Sequence, residues 1–255
     1  INSADAAIAQ IVSGDVSDQI LNIGPVGAQV ISRPRDALGL SVQKMGQATC
    51  LTTGTVSAVN VRGIVKYPAI CNENPGTAIF VRQMLVTPGS FASEGDSGSL
   101  LVTTEPCPRA IGLVFAGAKN GSSVLANPIA PILKRLKVQM VGGCDASGEA
   151  TAQSSASAPT VAAKPASEAG PGHGIATAPT TSDIDDAIAI QERHHDDLMK
   201  IPGAVGTGVG VDRRSGSTAI EVYLSKDTSA AQAALPRKLE GKPVRAVVTG
   251  EFVAF

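Results

Sequence analysis

Hydrophobic and polar positions change over in short bursts along the first 144 residues. Runs at 6–12, 42–48, 53–61, 78–86, 97–104 and 110–117 are rich in Val, Ile, Thr and Ala and are separated by Gly, Pro, Asn and Ser. That pattern predicts short strands joined by tight turns. Only 127–140 carries apolar residues at helical spacing, with Ile129, Ile132, Leu133 and Leu136 on one face. Many strands followed by one terminal helix predict a mainly β unit, a barrel or sandwich closed by a helix.

The pattern then stops. From 145 to 181 the chain is Ala, Ser, Thr, Pro and Gly with almost no large apolar residue, too little to offset its ordering entropy. This predicts a disordered linker between a unit at 1–144 and a smaller one at 182–255. In the second unit, Ser182 can cap a helix whose first turn holds Asp183, Asp185 and Asp186. Ile184, Ile188, His195 and Leu198 recur at helical spacing, and Pro202 with Gly203 ends the helix. Strands are expected at 203–212, 218–226 and 242–255, with a short Ala-rich helix at 229–235. This is a small α+β module.

Composition removes several classes of function. Lys plus Arg number 21 against 22 for Asp plus Glu, so the basic excess of a nucleic-acid or anionic-membrane binder is missing. Aromatics are 3% with no Trp, which leaves little for stacking bases. The longest apolar run, 110–118, is far short of the roughly 20 residues of a bilayer span. No membrane and no nucleic-acid partner is expected. Cys50, Cys71, Cys107 and Cys144 lack the close pairs of a zinc site and leave room for one or two disulfides. They do not decide the compartment. The chain starts at Ile1 without a signal-peptide pattern, as if something had been removed or the record began partway through a gene.

The informative stretch is Glu94-Gly95-Asp96-Ser97-Gly98-Ser99, followed by an apolar run. A Ser between two glycines at a strand start can be held on a tight turn with its hydroxyl exposed. Gly95 lets the backbone turn so that the N–H groups of Gly95 and Ser97 face one pocket, as a tetrahedral oxyanion requires. Read alone, the same residues also fit a surface turn.

The flanks of that turn resemble trypsin-like (chymotrypsin-fold) serine peptidases of the bacterial type. Gly112-Leu113-Val114-Phe115-Ala116-Gly117 is similar to the strand that lines their specificity pocket and pairs with substrate backbone. Lys44, Gly46, Thr49, Thr52 and Gly54 match a K-x-G-R-T-T-G-x-T-x-G pattern from the first hairpin of their second barrel, while Gln47, Ala48 and Cys50 depart. Asn2-Ser3-Ala4-Asp5 resembles the segment that carries their catalytic Asp. The resemblance implies a chymotrypsin-like second β-barrel with a closing helix, its first barrel largely missing. It implies Ser97 as nucleophile, Asp5 as the residue orienting the base, and Gly95 and Ser97 as the oxyanion hole. It also implies substrate held along Phe115, Ala116 and Gly117. Counting back six residues from Ser97 puts Phe91 at the pocket floor, where no carboxylate stands, so small or apolar side chains are expected before the scissile bond. In activated members, the residue equivalent to Asp96 pairs with a new N-terminal ammonium. Ile1 is too close to Asp5 for that, so Asp96 is expected in a local hydrogen-bond network.

One part of this chemistry is missing: a Ser hydroxyl needs a base, and residues 1–172 contain no His. His173 lies in the linker. His194 and His195 sit on the module's helix, where His195 falls on the apolar stripe and packing is its expected role. Neighbours such as Glu192, His194, His195 and Asp196 point to different faces, so neither metal nor cofactor is expected. Gly206 to Gly216 lacks a G-K-[ST] ending and reads as a Gly-rich strand and hairpin, not a phosphate loop.

The segment from His194 to Gly250 resembles a small module found on the N-terminal side of similar bacterial peptidases, here placed after the linker, and its roles stay open: intramolecular chaperone, inhibitor or partner docking. Two functions follow. One is a serine endopeptidase acting on peptide or protein, here a fragment lacking its general base. The other is an inactive peptidase-like binding or scaffold module.

Overall fold

The computed structural model describes residues 1–12, 16–69, 74–144, 179–212 and 215–255. The linker expected at 145–181 lies almost wholly outside them, as do Cys71 and His173. Two short strands, β1 (Gln19–Ile20) and β2 (Gly24–Pro25), pair with each other, and β3 (Gly27–Val30) follows. Six longer strands come next: β4 (Ser41–Gly46), β5 (Cys50–Tyr67), β6 (Gly76–Thr87), β7 (Leu100–Thr103), β8 (Arg109–Ala118) and β9 (Val124–Pro128). Neighbour to neighbour they run β4–β5–β6–β9–β8–β7 and return to β4, all antiparallel. The ring is closed. It is a six-stranded barrel filled by Val42, Val56, Met84, Val86, Leu101, Ile111, Val114 and Ala126, all buried. Closure removes the free edges that an open sheet would expose.

The closing helix α1 (Ile129–Leu136) is shorter than the 127–140 expected from spacing. Asn127 and Pro128 belong to β9, and Lys137 ends the helix in the left-handed region at φ 57°. Ile129 packs it onto Val26, Val102 and Ala110. A disulfide joins Cys107, before β8, to Cys144, and Cys50 is free and exposed. The strand expected at 6–12 is not formed; Ile8, Ile11 and Val12 are exposed, and pairing at this end stops with Asn2 beside Phe80. Apolar residues alone do not make a strand without an edge to join.

The module begins with α2 (Thr181–Leu198). Its cap is Thr180, not Ser182: the Thr180 hydroxyl accepts from the Asp183 N–H, and the Asp183 carboxylate accepts from the Thr180 N–H. Its buried face, including Ile184, Ala187, Ile190 and Leu198, covers β10 (Ala204–Val211) and β11 (Thr218–Leu224). Then follow α3 (Ser229–Ala234), β12 (Lys238–Leu239), β13 (Lys242–Val248) and β14 (Phe252–Ala254). The expected single strand at 242–255 is therefore two, broken at Gly250 with φ 72°.

Barrel and module share one sheet. β10 pairs with β5 on one side and β11 on the other. The alternate glycines of β10 permit this, since a Cβ at Gly208 would stand 2.4 Å from the Tyr223 hydroxyl. β14 enters between two barrel strands, parallel to β5 and antiparallel to β8. Arg35, before β4, pairs with Asp185 of α2. Among the described residues no helix is long and apolar enough to cross a membrane.

Candidate active site

Ser97 sits on a turn between β6 and β7 whose glycines make it possible. Gly95 has φ +97° and Gly98 has φ +85°, a region where a side chain is strained. The two reversals put Ser97 at the surface and turn Asp96, its neighbour, completely inward. The Gly98 N–H donates to the Val114 carbonyl at 2.8 Å, and Val114 N–H returns a bond to Ser99 at 3.1 Å, which fixes the turn to β8. Among the described residues no protein acceptor takes the N–H of Gly95 or of Ser97.

Asp96 is the anchor beneath. Its Oδ1 accepts from the N–H of Ala48 (2.8 Å) and of Thr49 (3.2 Å). Its Oδ2 accepts from the Thr49 hydroxyl (2.6 Å) and the Ser93 N–H (3.1 Å), and stands 3.2 Å from the Lys44 ammonium. Neither side chain of that ion pair reaches solvent. Burial pushes the Asp96 carboxyl up, but the Thr49 hydroxyl and the backbone N–H groups outweigh it and hold it well below the usual carboxylate range. The local network expected of Asp96 is present, with an ion pair added.

The residues matching the hairpin pattern all surround this turn. Lys44 supplies the cation and Thr49 the hydroxyl. A Cβ at Gly46 would stand 2.2 Å from Asp96 Oδ1, so only glycine leaves the carboxylate its place. Gly54 makes room for the Phe91 ring, and Thr52 donates to the Phe91 carbonyl at 2.6 Å. Phe91 itself is fully buried within the barrel core, its ring 5.8 Å below the Lys44 ammonium.

Asp5 is held beside β9 and the end of β5. Its backbone forms a pair of bonds with the Asn127 side chain, at 3.0 and 2.9 Å, and its carboxylate accepts from the Tyr67 hydroxyl at 2.6 Å. Burial first, and then the Asp5 carboxylate, push the Tyr67 hydroxyl above its ordinary range. Among the described residues no imidazole is a hydrogen-bond partner of Asp5 or Ser97. The edge formed by Phe115, Ala116 and Gly117 is present, and β14 is paired along it.

The two described histidines are occupied in the module. His194 meets Glu240 at 2.9 Å, and buried His195 shares the Thr207 hydroxyl with Gln191. Burial, reinforced by nearby Arg62 and opposed by Asp196, lowers His195 to about 4. An unfolded His titrates near pH 6.5, so the unfolded chain binds this proton first. Stability from a neutral His195 is whole above about pH 6.5 and is lost as pH falls toward 4. His195→Gln should flatten the fall in urea-unfolding free energy across that interval; an unchanged slope would reject the assignment. Among the described residues no group of three His, Cys, Asp or Glu could hold a metal ion.

Sequence reasoning missed Lys44 as the partner of Asp96, although its place in the hairpin pattern was in view. It also missed Gln47, whose side chain lies beside Gly95 at 2.9 Å from where a Cβ would be. Tyr67 as the partner of Asp5 had no local signal, being a contact across 62 residues.

No family model matches the chain, and no curated protein does. Among solved structures it is similar to a glutamic-acid-specific serine protease described as using a novel histidine triad in substrate binding. Identity is 19%, over 52% of this chain and 64% of that one, with a TM-score of 0.36. The match spans less than two thirds of that protease. The chain is mainly β, with a closed six-stranded barrel and a helix directly after its last strand.

Proposed function

We propose that the barrel carries the nucleophile of a serine endopeptidase, with Ser97 as the attacking group and the N–H groups of Gly95 and Ser97 as oxyanion donors. The observation that supports it is the turn: an exposed Ser97 between two positive-φ glycines, held by the Asp96–Lys44 pair, with two N–H groups unclaimed among the described residues. In this reading Ser97 Oγ adds to the scissile carbonyl and its proton passes to a general base. The amine leaves with that proton, and water then releases the acyl group from Ser97. Asp5 is the residue to orient the base. The base would be an imidazole; among the described residues none is hydrogen-bonded to Ser97.

A second reading, a peptidase-like binding module, is favoured by two observations: the substrate-type edge of β8 is covered by β14, and Ser97 has no imidazole partner. A fluorophosphonate probe separates the two. The chain alone should label weakly. Adding a His-bearing upstream segment should restore labelling, and Ser97→Ala should remove it. Strong labelling retained in Ser97→Ala would overturn the assignment of the nucleophile. No labelling under any arrangement would leave the binding module as the function.

A further inference from the structure

The edge of β8 next to the Ser97 turn carries a strand of this same chain. Phe252 is level with Ala118, Val253 with Gly117 and Ala254 with Ala116. The Phe255 N–H then donates to the Phe115 carbonyl at 3.0 Å. The segment thus runs toward the turn, since the next residue of β8, Val114, is the one bonded to Gly98 and Ser99. The Phe255 ring lies over the α-carbon of Gly117: a Cβ there would stand 2.5 Å from Phe255 Cζ and 2.7 Å from Cε1. No atom of another residue stands nearer than 3.7 Å to such a Cβ. Gly117 is therefore glycine in keeping with the ring above it.

The segment has two parts. Phe252 is fully buried against Tyr223, with ring centroids 5.7 Å apart, and belongs to the core. Residues 253–255 are only partly buried. Glu251, just ahead, is tied to Lys66 at 2.5 Å. The arrangement is an anchor followed by three residues laid in extended form along a strand edge, which is how a peptide ligand adds to a sheet.

We propose that the Phe115–Gly117 edge is an acceptor for extended peptides carrying an aromatic side chain over Gly117, that Gly117 determines this preference, and that residues 253–255 are its occupant in cis. This deepens the peptidase reading by naming the class of peptide its groove takes, and rests on that reading only for what Ser97 would do to the peptide. A tethered occupant acts at an effective concentration in the millimolar range, so a free peptide of similar affinity competes poorly until the tether is removed.

The test uses a peptide of sequence Val-Ala-Phe, labelled at its N-terminus, and fluorescence anisotropy, in a Ser97→Ala background so that no cleavage intervenes. A chain ending at Phe252, which keeps the core anchor, should bind it at least tenfold more tightly than the full chain. Replacing the peptide's final Phe by Ala, or Gly117 by Val in the shortened chain, should each weaken binding at least tenfold, with circular dichroism unchanged. If the shortened chain does not fold, full-length Phe255→Ala should show the gain over the full chain instead. Equal binding by the full chain and the released forms, or no effect of Gly117→Val, would overturn the proposal. Fluorophosphonate labelling of Ser97 reports on the peptidase reading separately: labelling without peptide binding removes only this inference, and binding without labelling removes only the peptidase chemistry.

Discussion

Lys44→Met is expected to destabilise the protein by about 3 kcal/mol and Asp96→Leu by about 5 kcal/mol, the span found when one partner of a buried ion pair is removed. The asymmetry follows from what each partner keeps. Without Lys44, the Asp96 carboxylate still accepts from the Thr49 hydroxyl and the N–H groups of Ser93, Ala48 and Thr49. Without Asp96, the buried ammonium keeps the Thr49 hydroxyl and the Cys50 carbonyl as acceptors and the Phe91 ring beneath it, with no counter-charge among the described residues. The double variant Lys44→Met/Asp96→Leu should lose less than the sum, since it leaves no charge behind. Urea unfolding at pH 7 measures all three. Equal small losses, below about 1 kcal/mol, would mean that water reaches the pair.

Acid offers an independent check on the same anchor. The Asp96 carboxyl titrates below its ordinary value in the folded chain. Its contribution is present above about pH 4, where an unfolded Asp is already ionised, and is lost as pH falls through the folded value. Unfolding of the native chain below pH 4 should therefore be steeper than that of Asp96→Leu.

What could be read from residues alone divides along the range of the interactions. The nucleophile turn was legible because its determinants are local: Gly95, Asp96, Ser97 and Gly98 set their own backbone. The barrel strands were legible where β-rich runs stand between turn residues, as at 42–48 and 110–117. Strand β5 was underestimated because Cys50 and Asn60 adopt positive φ inside it and its ladder with β6 shifts register between Val56 and Gly63. Each shift breaks the period of two. Strand β9 was missed because Asn127 and Pro128 fall within the helical run expected at 127–140, whereas here Asn127 is fully buried and its side chain holds the Asp5 backbone. The union of barrel and module had no local signal. β10 meets β5 across more than 100 residues of chain, and only the alternate glycines hinted at a close approach.

That union makes Phe252 a strong test of whether the two parts stand or fall together. Phe252→Ala is expected to cost about 3–5 kcal/mol, as for a fully buried aromatic removed from a core that cannot collapse around the gap. Its ring is unexposed and shares a cluster with Phe80 and Phe115 of the barrel and Tyr223 of the module. Gly63 of β5 approaches so closely that a Cβ there would lie 3.4 Å from the ring. Because barrel and module both line that cavity, the loss should appear in both. Amide exchange of β8 and of β11 should accelerate in parallel, and urea unfolding should stay a single transition at a lower midpoint. Phe255→Ala is the matched control. Its ring is partly exposed and lies at the end of the segment, so its removal should cost well under half as much. Exchange that accelerates in the module while the barrel stays protected would show that β14 covers the barrel without stabilising it. Equal costs for the two phenylalanines would mean that the cluster around Phe252 is not the joint between them.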